Sequence, residues 1–207
     1  MDVSEALARR RMTRSFSAQP IDAELLVRLA RDALRSPTAG NARGIELLVL
    51  SGPDEVAQYF AATTDVAWRQ RSARFAGLAR ASGVIVVLAD PHTYVERYGA
   101  EDKAASGLGE DLSAWPVPYW IGDAGAATMS LLLSAESHGL ACCFLGAFRG
   151  TEELVARFDI PDRFVVYGAI LIGHPDGRDH RSASLDRAGP SRANRVHRGR
   201  FGSAGQA

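Results

Sequence analysis

The sequence predicts a mixed domain, α+β or α/β, with more helix than sheet, and three observations predict it. Residues 83–89 (GVIVVLA) form a near-continuous apolar run of strand length, which suits a strand buried on both faces. Ile21, Leu25, Leu26, Leu29, Ala30, Ala33 and Leu34 recur at helical spacing. Residues 117–139 form a long stretch rich in Ala, Leu and Met, a helix apolar enough to lie centrally. With 207 residues, 46% of them hydrophobic and 23% charged, the chain suits one domain, or one domain with an arm.

Taken in order, residues 3–10 read as a short helix. The next helix is capped by Asp22 and stopped by Ser36-Pro37. Residues 44–50 (GIELLVL) read as a strand. Residues 53–62 read as a helix that opens on Pro53, with Asp54 and Glu55 suiting the positive end of its dipole. Residues 65–81 form an arginine-studded helix candidate, followed by the strand at 83–89. Residues 99–116 lack periodicity and are expected to be a long loop, a flexible lid. The central helix ends at Gly139 as a left-handed cap. A strand running into a loop (140–148), a helix (151–159) and a last strand (164–173) complete the domain. The segment from His174 onward has few large apolar residues and cannot bury a core alone, so the expected boundary separates 1–173 from an arm at 174–207.

Composition excludes several classes. No apolar run approaches the ~20 residues of a spanning helix, and the N-terminus lacks a secretory apolar segment. No membrane association is expected. Cys142 and Cys143 are adjacent and have no third partner, which argues against a disulfide framework and for a cytoplasmic location. Histidines 92, 138, 174, 180 and 197 show no metal-ligand spacing. Neither a phosphate-binding glycine loop nor a nucleophile elbow occurs.

The charge distribution carries the functional signal. Twenty-four basic residues balance 24 acidic ones, yet Arg9, Arg10, Arg11 and Arg14 crowd the start and a second group of arginines lies between 178 and 200. Zero net charge and the lack of a basic helix argue against nucleic acid. A guanidinium fork that stays charged at any working pH suits a small phosphate clamp instead. Arg10 and Arg14 share a face in helical or extended form, with Met12 between them when extended.

Five stretches, in order, resemble the FMN-dependent nitroreductase family, in an actinobacterial-looking form. They are RRRMTRSF, SPTAGNARGIELLVL, VPYWIGDAGAATMSLLLSAESHGLACCFLGAF, FVVYGAILIGHP and NRVHRGRF. The resemblance implies an α+β nitroreductase-like fold: a central, mostly antiparallel sheet of four to five strands, flanking helices and an extended C-terminal arm packed on a homodimer. It implies FMN as cofactor. Arg10, Arg11, Met12 and Arg14 would bind its phosphate, ribityl chain and pyrimidine edge. Pro37, Thr38, Ala39 and Asn41 would contact flavin bound mainly by the other subunit. Phe144, Leu145, Gly146 and Ala147 would cover one flavin face, and Arg187 would grip phosphate. Met12 stands where the pattern has serine, NARGI stands where it has N-x-Q-P-W, and Gly189 falls at a second basic position for which Arg192 could compensate.

The implied activity is ping-pong transfer of hydride from NADH or NADPH through flavin N5 to a nitroaromatic, quinone or similar small acceptor. A cation near flavin N1 and the C2 carbonyl would favour the reduced form; Arg14 is the first candidate and Arg74 the second. Trp115, beside Pro116, is the candidate substrate-facing residue of the lid. The alternatives are an FMN-dependent oxidase or dehydrogenase of a biosynthetic substrate, and a non-catalytic flavin binder.

Overall fold

The computed structural model describes residues 1–179 and 195–202. Four strands, β1 (Ile45–Ser51), β2 (Gly83–Ala89), β3 (Ala141–Gly146) and β4 (Val165–Gly173), form one sheet in the order β1-β2-β4-β3. Every pairing is antiparallel, which decides for α+β over α/β. β2 is central, and all seven of its residues are buried, as its unbroken apolar run requires.

The two-residue period of the strands divides the core into two layers. Val84, Val86 and Leu88, with Cys143 and Leu171, pack on Val56, Tyr59 and Phe60 of α3 (Gly52–Thr63) and Leu154 of α8 (Thr151–Arg157). Ile85, Val87 and Ala89, with Cys142, Ile170 and Ile172, pack on Leu26, Leu29 and Ala33 of α2 (Ala23–Ala33) and on Ala124, Ala127 and Leu131 of α7 (Tyr119–Ser137). The adjacent cysteines therefore serve opposite layers as small buried hydrophobes, and burial pushes both thiols up, out of the reactive range.

The helix ends follow from local chemistry. Asp22 accepts from the Glu24 N–H at 3.1 Å and starts α2. Gly139 (φ 71°) stops α7, and the Leu140 N–H returns to the Ala135 carbonyl at 3.0 Å. The helix expected over 65–81 is two helices, α4 (Val66–Arg71) and α5 (Phe75–Leu78), because Ser72 turns extended (φ −78°, ψ 109°). α6 (Pro91–Tyr98) was not in the sequence reading; the Asp90 carboxylate caps it at the His92 N–H, 3.0 Å away, and Pro91 begins it. The expected loop at 99–116 holds two single turns, Ala104–Ser106 and Leu112–Ala114. α1 (Val3–Arg9) leads into the arginine segment. Among the described residues no helix is long and apolar enough to cross a membrane, and no group of three His, Cys, Asp or Glu side chains is placed to hold a metal ion.

Candidate functional site

The arginine segment is extended and lies against the outer edge of β3. Met12 forms a parallel bridge with Cys142, and the Thr13 N–H donates to the Cys142 carbonyl at 2.8 Å. The Phe144 N–H points at the Met12 sulfur at 3.3 Å, so Met12 itself touches the segment that begins at Phe144. Four residues on, Phe16 is wholly buried and bridges Pro175. It lies against Gly173, where a Cβ would come within 2.7 Å of its ring. The first apolar residue after the arginines thus pins the segment to the end of β4.

The beginning of the C-terminal arm reinforces this anchor. The Ser17 N–H donates to the His174 carbonyl at 2.9 Å, the Ser15 hydroxyl to Asp176 at 2.7 Å, and the Arg14 N–H to Asp179 at 2.9 Å. The Ser15 bond, the Arg178 N–H and nearby arginines hold the Asp176 carboxyl below its usual range. The N-terminal segment and the start of the arm meet through these acids. Arg187, expected on the phosphate, lies outside the described residues, as does Arg192.

Within the segment the arginines differ. Arg11 is exposed, while Arg10, Met12 and Arg14 are half-buried. Arg14 folds one Nη onto the Met12 carbonyl at 3.1 Å. Arg10 has a buried Nε with no hydrogen-bond partner among the described residues. A buried cationic donor left unpaired is uncommon and calls for an acceptor. Arg74 begins α5, which docks against the segment: a Cβ on Gly77 would lie 2.5 Å from the Arg14 carbonyl oxygen. After burial, the charges felt by the Cys143 thiol are Arg14, Asp179 and Arg74, so both candidate cations belong to this corner.

Leu145, Gly146 and Ala147 line a cleft of about 630 Å³ with Tyr59, Phe60 and Trp68. Phe144 turns to the other side of the strand and stacks, tilted, on Tyr167 at 5.5 Å. β3 and β4 approach closely here because Gly168 has no side chain; a Cβ would lie 2.6 Å from the Leu145 carbonyl oxygen.

Pro37, Thr38 and Asn41 line a separate cleft of about 520 Å³ beside α7, on the opposite face of the sheet. Ala39 is held there by its N–H, which donates to Asp123 of α7 at 2.8 Å. The same Asp123 oxygen accepts from the Tyr94 hydroxyl at 2.8 Å. Arg97 donates to the Gly40 carbonyl at 2.9 Å. The Tyr94 ring lies where a side chain at position 44 would be, 2.6 Å from the Cβ site, which accounts for glycine in NARGI where the pattern has proline. Asp123, Tyr94 and Arg97 position the predicted 37–41 stretch, and the sequence reading missed all three. The available signals were the Asp-Pro start of α6 and the aspartate of GDAGAA.

Trp115 does not stand on a free lid. It is 7% exposed, its indole N–H donates to the Leu108 carbonyl at 2.9 Å, and Tyr94, Tyr98, Tyr119 and Trp120 surround it with ring centroids 4.8 to 6.1 Å away. An indole with its donor satisfied inside an aromatic cluster is a packing residue, and the substrate-facing expectation is corrected accordingly.

A family model described as Nitroreductase family matches residues 7–174. The chain belongs to the nitroreductase family. It is an oxidoreductase with this family's fold. It is 28% identical over 190 residues to an Archaeoglobus fulgidus protein named as an NADH dehydrogenase/NAD(P)H nitroreductase, spanning 90% of this chain and 92% of that one. It is 22% identical over 172 residues to the FMN reductase (NADPH) of Bacillus subtilis, spanning 83% and 65%. Among solved structures, the FMN-dependent nitroreductase of Clostridium difficile R20291 superposes with a TM-score of 0.65 over 95% of this chain and 98% of that one, at 20% identity.

Proposed function

We propose that this nitroreductase-family chain is an FMN-dependent oxidoreductase that takes hydride from NADH or NADPH and delivers electrons to a nitroaromatic, quinone or similar acceptor, working as a homodimer. The observation that carries the reading is Arg10, whose buried Nε lacks a partner among the described residues, beside a half-buried Met12 and Arg14. A phosphate oxygen satisfies such a donor. The names of the Bacillus subtilis and Clostridium difficile relatives, each of which includes FMN, support the cofactor.

In this reading Arg10, with Arg187 of the arm, binds the phosphate. Arg14 and Arg74 supply positive charge at the pyrimidine edge. Leu145, Gly146 and Ala147 present backbone and small side chains to the ring, and Tyr59, Phe60 and Trp68 keep water from the cleft behind them. Pro37, Thr38 and Asn41 line a cleft on the opposite face, with Ala39 held beside it on Asp123, so their contact with the same ring comes from the second protomer. When bound, FMN supplies hydride uptake from the donor and electron delivery to the acceptor at one position, which makes the kinetics ping-pong.

The test is the visible spectrum of the pure protein, followed by anaerobic titration with NADH and NADPH. The flavin bands are expected, bleached by at least one donor and restored by an acceptor. A protein that stays colourless after incubation with FMN, or holds flavin inert to both donors, refutes the proposal.

A further inference from the structure

The cleft beside α7 is lined by two arginines, Arg35 and Arg43, and by the neutral polar groups of Ser36, Thr38 and Asn41. Its one carboxylate among the described residues, Asp123, is committed to the Ala39 N–H and the Tyr94 hydroxyl. The guanidiniums are only partly committed. Arg43 spends Nε on Asn41 Oδ1 at 3.2 Å, and Arg35 spends Nε on Asp32 at 3.4 Å. Among the described residues their terminal Nη groups make no hydrogen bond. The lining is therefore cationic, with forks of the geometry that grips a phosphate or carboxylate.

Arg43 is also held in a costly backbone conformation. Its φ is 60°, in the left-handed region, as are those of Gly40 (61°) and Asn41 (55°). Such strain persists where surroundings over-determine it, and it concentrates at ligand clamps. The surroundings here do so. The Arg43 N–H donates to Thr38 Oγ1 at 3.0 Å, Arg97 grips the Gly40 carbonyl, and the rings of Tyr98 and Tyr94 fill the Cβ positions of Gly40 and Gly44. The packing uses only one edge of the Arg43 guanidinium, the Nε that donates to Asn41 Oδ1, and leaves its Nη groups without a hydrogen-bond partner among the described residues. A volume of about 520 Å³ exceeds a bare ion and suits part of an organic molecule.

We propose that this cleft binds the phosphate or carboxylate group of one of the enzyme's two substrates, with Arg43 and Arg35 as the residues that recognise the anion. The proposal rests on the reading that the 37–41 stretch borders the reaction site. The shared chemistry is an oxyanion, whether the diphosphate of a nicotinamide dinucleotide or the carboxylate of an anionic aromatic acceptor.

The test uses the protein as purified, titrated with inorganic pyrophosphate by calorimetry. It also uses turnover with NADH or NADPH as donor and with 4-nitrobenzoate or neutral nitrobenzene as acceptor. Arg43→Gln keeps an unbranched hydrogen-bonding side chain and the same backbone demand while deleting the charge. Pyrophosphate affinity is expected to fall roughly tenfold, the scale of losing a charge-assisted hydrogen bond. Arg35→Gln is expected to act in the same direction but less, since Asp32 already competes for that guanidinium. A rise in donor KM identifies the dinucleotide phosphates as the source. A rise in the ratio of KM for 4-nitrobenzoate to that for nitrobenzene identifies an acceptor carboxylate. Pyrophosphate affinity equal to wild type in both variants overturns the proposal, and so does weakened affinity with every KM and KM ratio unmoved. A colourless, inactive protein sinks the flavin reading, and the pyrophosphate titration then decides alone whether the cleft takes anions.

Discussion

Replacing Asp123 by alanine removes the acceptor of two hydrogen bonds at once, from the Tyr94 hydroxyl and the Ala39 N–H, both at 2.8 Å. Tyr94 is wholly buried, with Trp115 and Trp120 at centroid distances of 6.0 and 6.1 Å, so its hydroxyl cannot reach water without displacing those rings. Burial, then the bond to Asp123, pushes the Tyr94 hydroxyl far above the usual tyrosine range, and it remains a donor at every working pH. A buried hydroxyl left unpaired costs about 1–3 kcal/mol. The half-buried Ala39 N–H adds a smaller share, giving a total loss of about 2–4 kcal/mol. For a domain of this size that lowers Tm by roughly 5–15 °C.

Thermal unfolding of four proteins isolates the effect: wild type, Asp123→Ala, Tyr94→Phe and the double variant. Tyr94→Phe deletes the donor and leaves Asp123 its bond to Ala39, so its cost is expected to be smaller. The double variant is expected to be less destabilised than the sum of the two, by about 1–2 kcal/mol, because the orphaned hydroxyl has gone. Asp123→Asn, whose amide oxygen can accept both bonds, is expected to stay close to wild type. Additivity within about 0.5 kcal/mol, the usual behaviour of independent sites, refutes the claim that Asp123 and Tyr94 form one unit.

Three further outcomes are expected. Gly77→Ala puts a methyl 2.5 Å from the Arg14 carbonyl oxygen, a backbone atom that cannot yield cheaply; a loss of about 1–3 kcal/mol in denaturant unfolding is expected, and unchanged stability contradicts the docking of α5 on the arginine segment. For Asp90, burial favours the neutral form, but the Thr93 hydroxyl, the ion pair with Arg163 and the His92 N–H outweigh it and hold the carboxyl low. The unfolded chain, with its carboxyl near 3.9, then takes up more protons on acidification, so this stabilisation is present above about pH 4 and is lost as pH falls through the depressed folded value. Arg163→Gln should flatten that acid decline in urea unfolding, and a slope like that of wild type counts against the pair. Arg10→Met removes a half-buried arginine whose buried Nε has no partner among the described residues, so stability is expected to hold or rise while FMN affinity falls roughly tenfold or more, read by flavin fluorescence; lower stability with unchanged affinity reverses the assignment.

The sheet was legible because its strands obey simple rules. The unbroken apolar run at β2 implied burial on both faces, and the structure places it between β1 and β4 with helices on either side. Gly139 and Asp22 marked helix ends through side-chain chemistry that acts locally. The misses have tertiary causes. Residues 65–81 have helical composition throughout, but the chain must break near Ser72 so that Gly77 can meet Arg14, a contact 63 residues away in sequence. Trp115 sits in a segment without periodicity, and only the aromatic residues of α6 and α7 folding around it reveal that it is core. α6 carried a readable signal in Asp90-Pro91, followed by too short a pattern to stand out.

The candidate site shows a similar division. Arg10, Met12 and Arg14 stood out as charge and spacing, and β3 accounts for their extended form. What anchors them was invisible in the chain: a phenylalanine that needs a glycine opposite, and aspartates from the start of the arm that take the Arg14 backbone N–H and the Ser15 hydroxyl. These acids do not cancel the arginines in any simple sense. Asp179 takes the Arg14 backbone N–H and Asp176 takes the Ser15 hydroxyl and Arg80, so the Arg10 Nε is left without a carboxylate among the described residues. Zero net charge and a local appetite for an anion are therefore compatible. Balance over the whole chain is set by where acids occur, whereas binding is set by which donors those acids leave unsatisfied. In this fold that donor is buried beside β3, while the other cationic cleft lies across the sheet under Arg43.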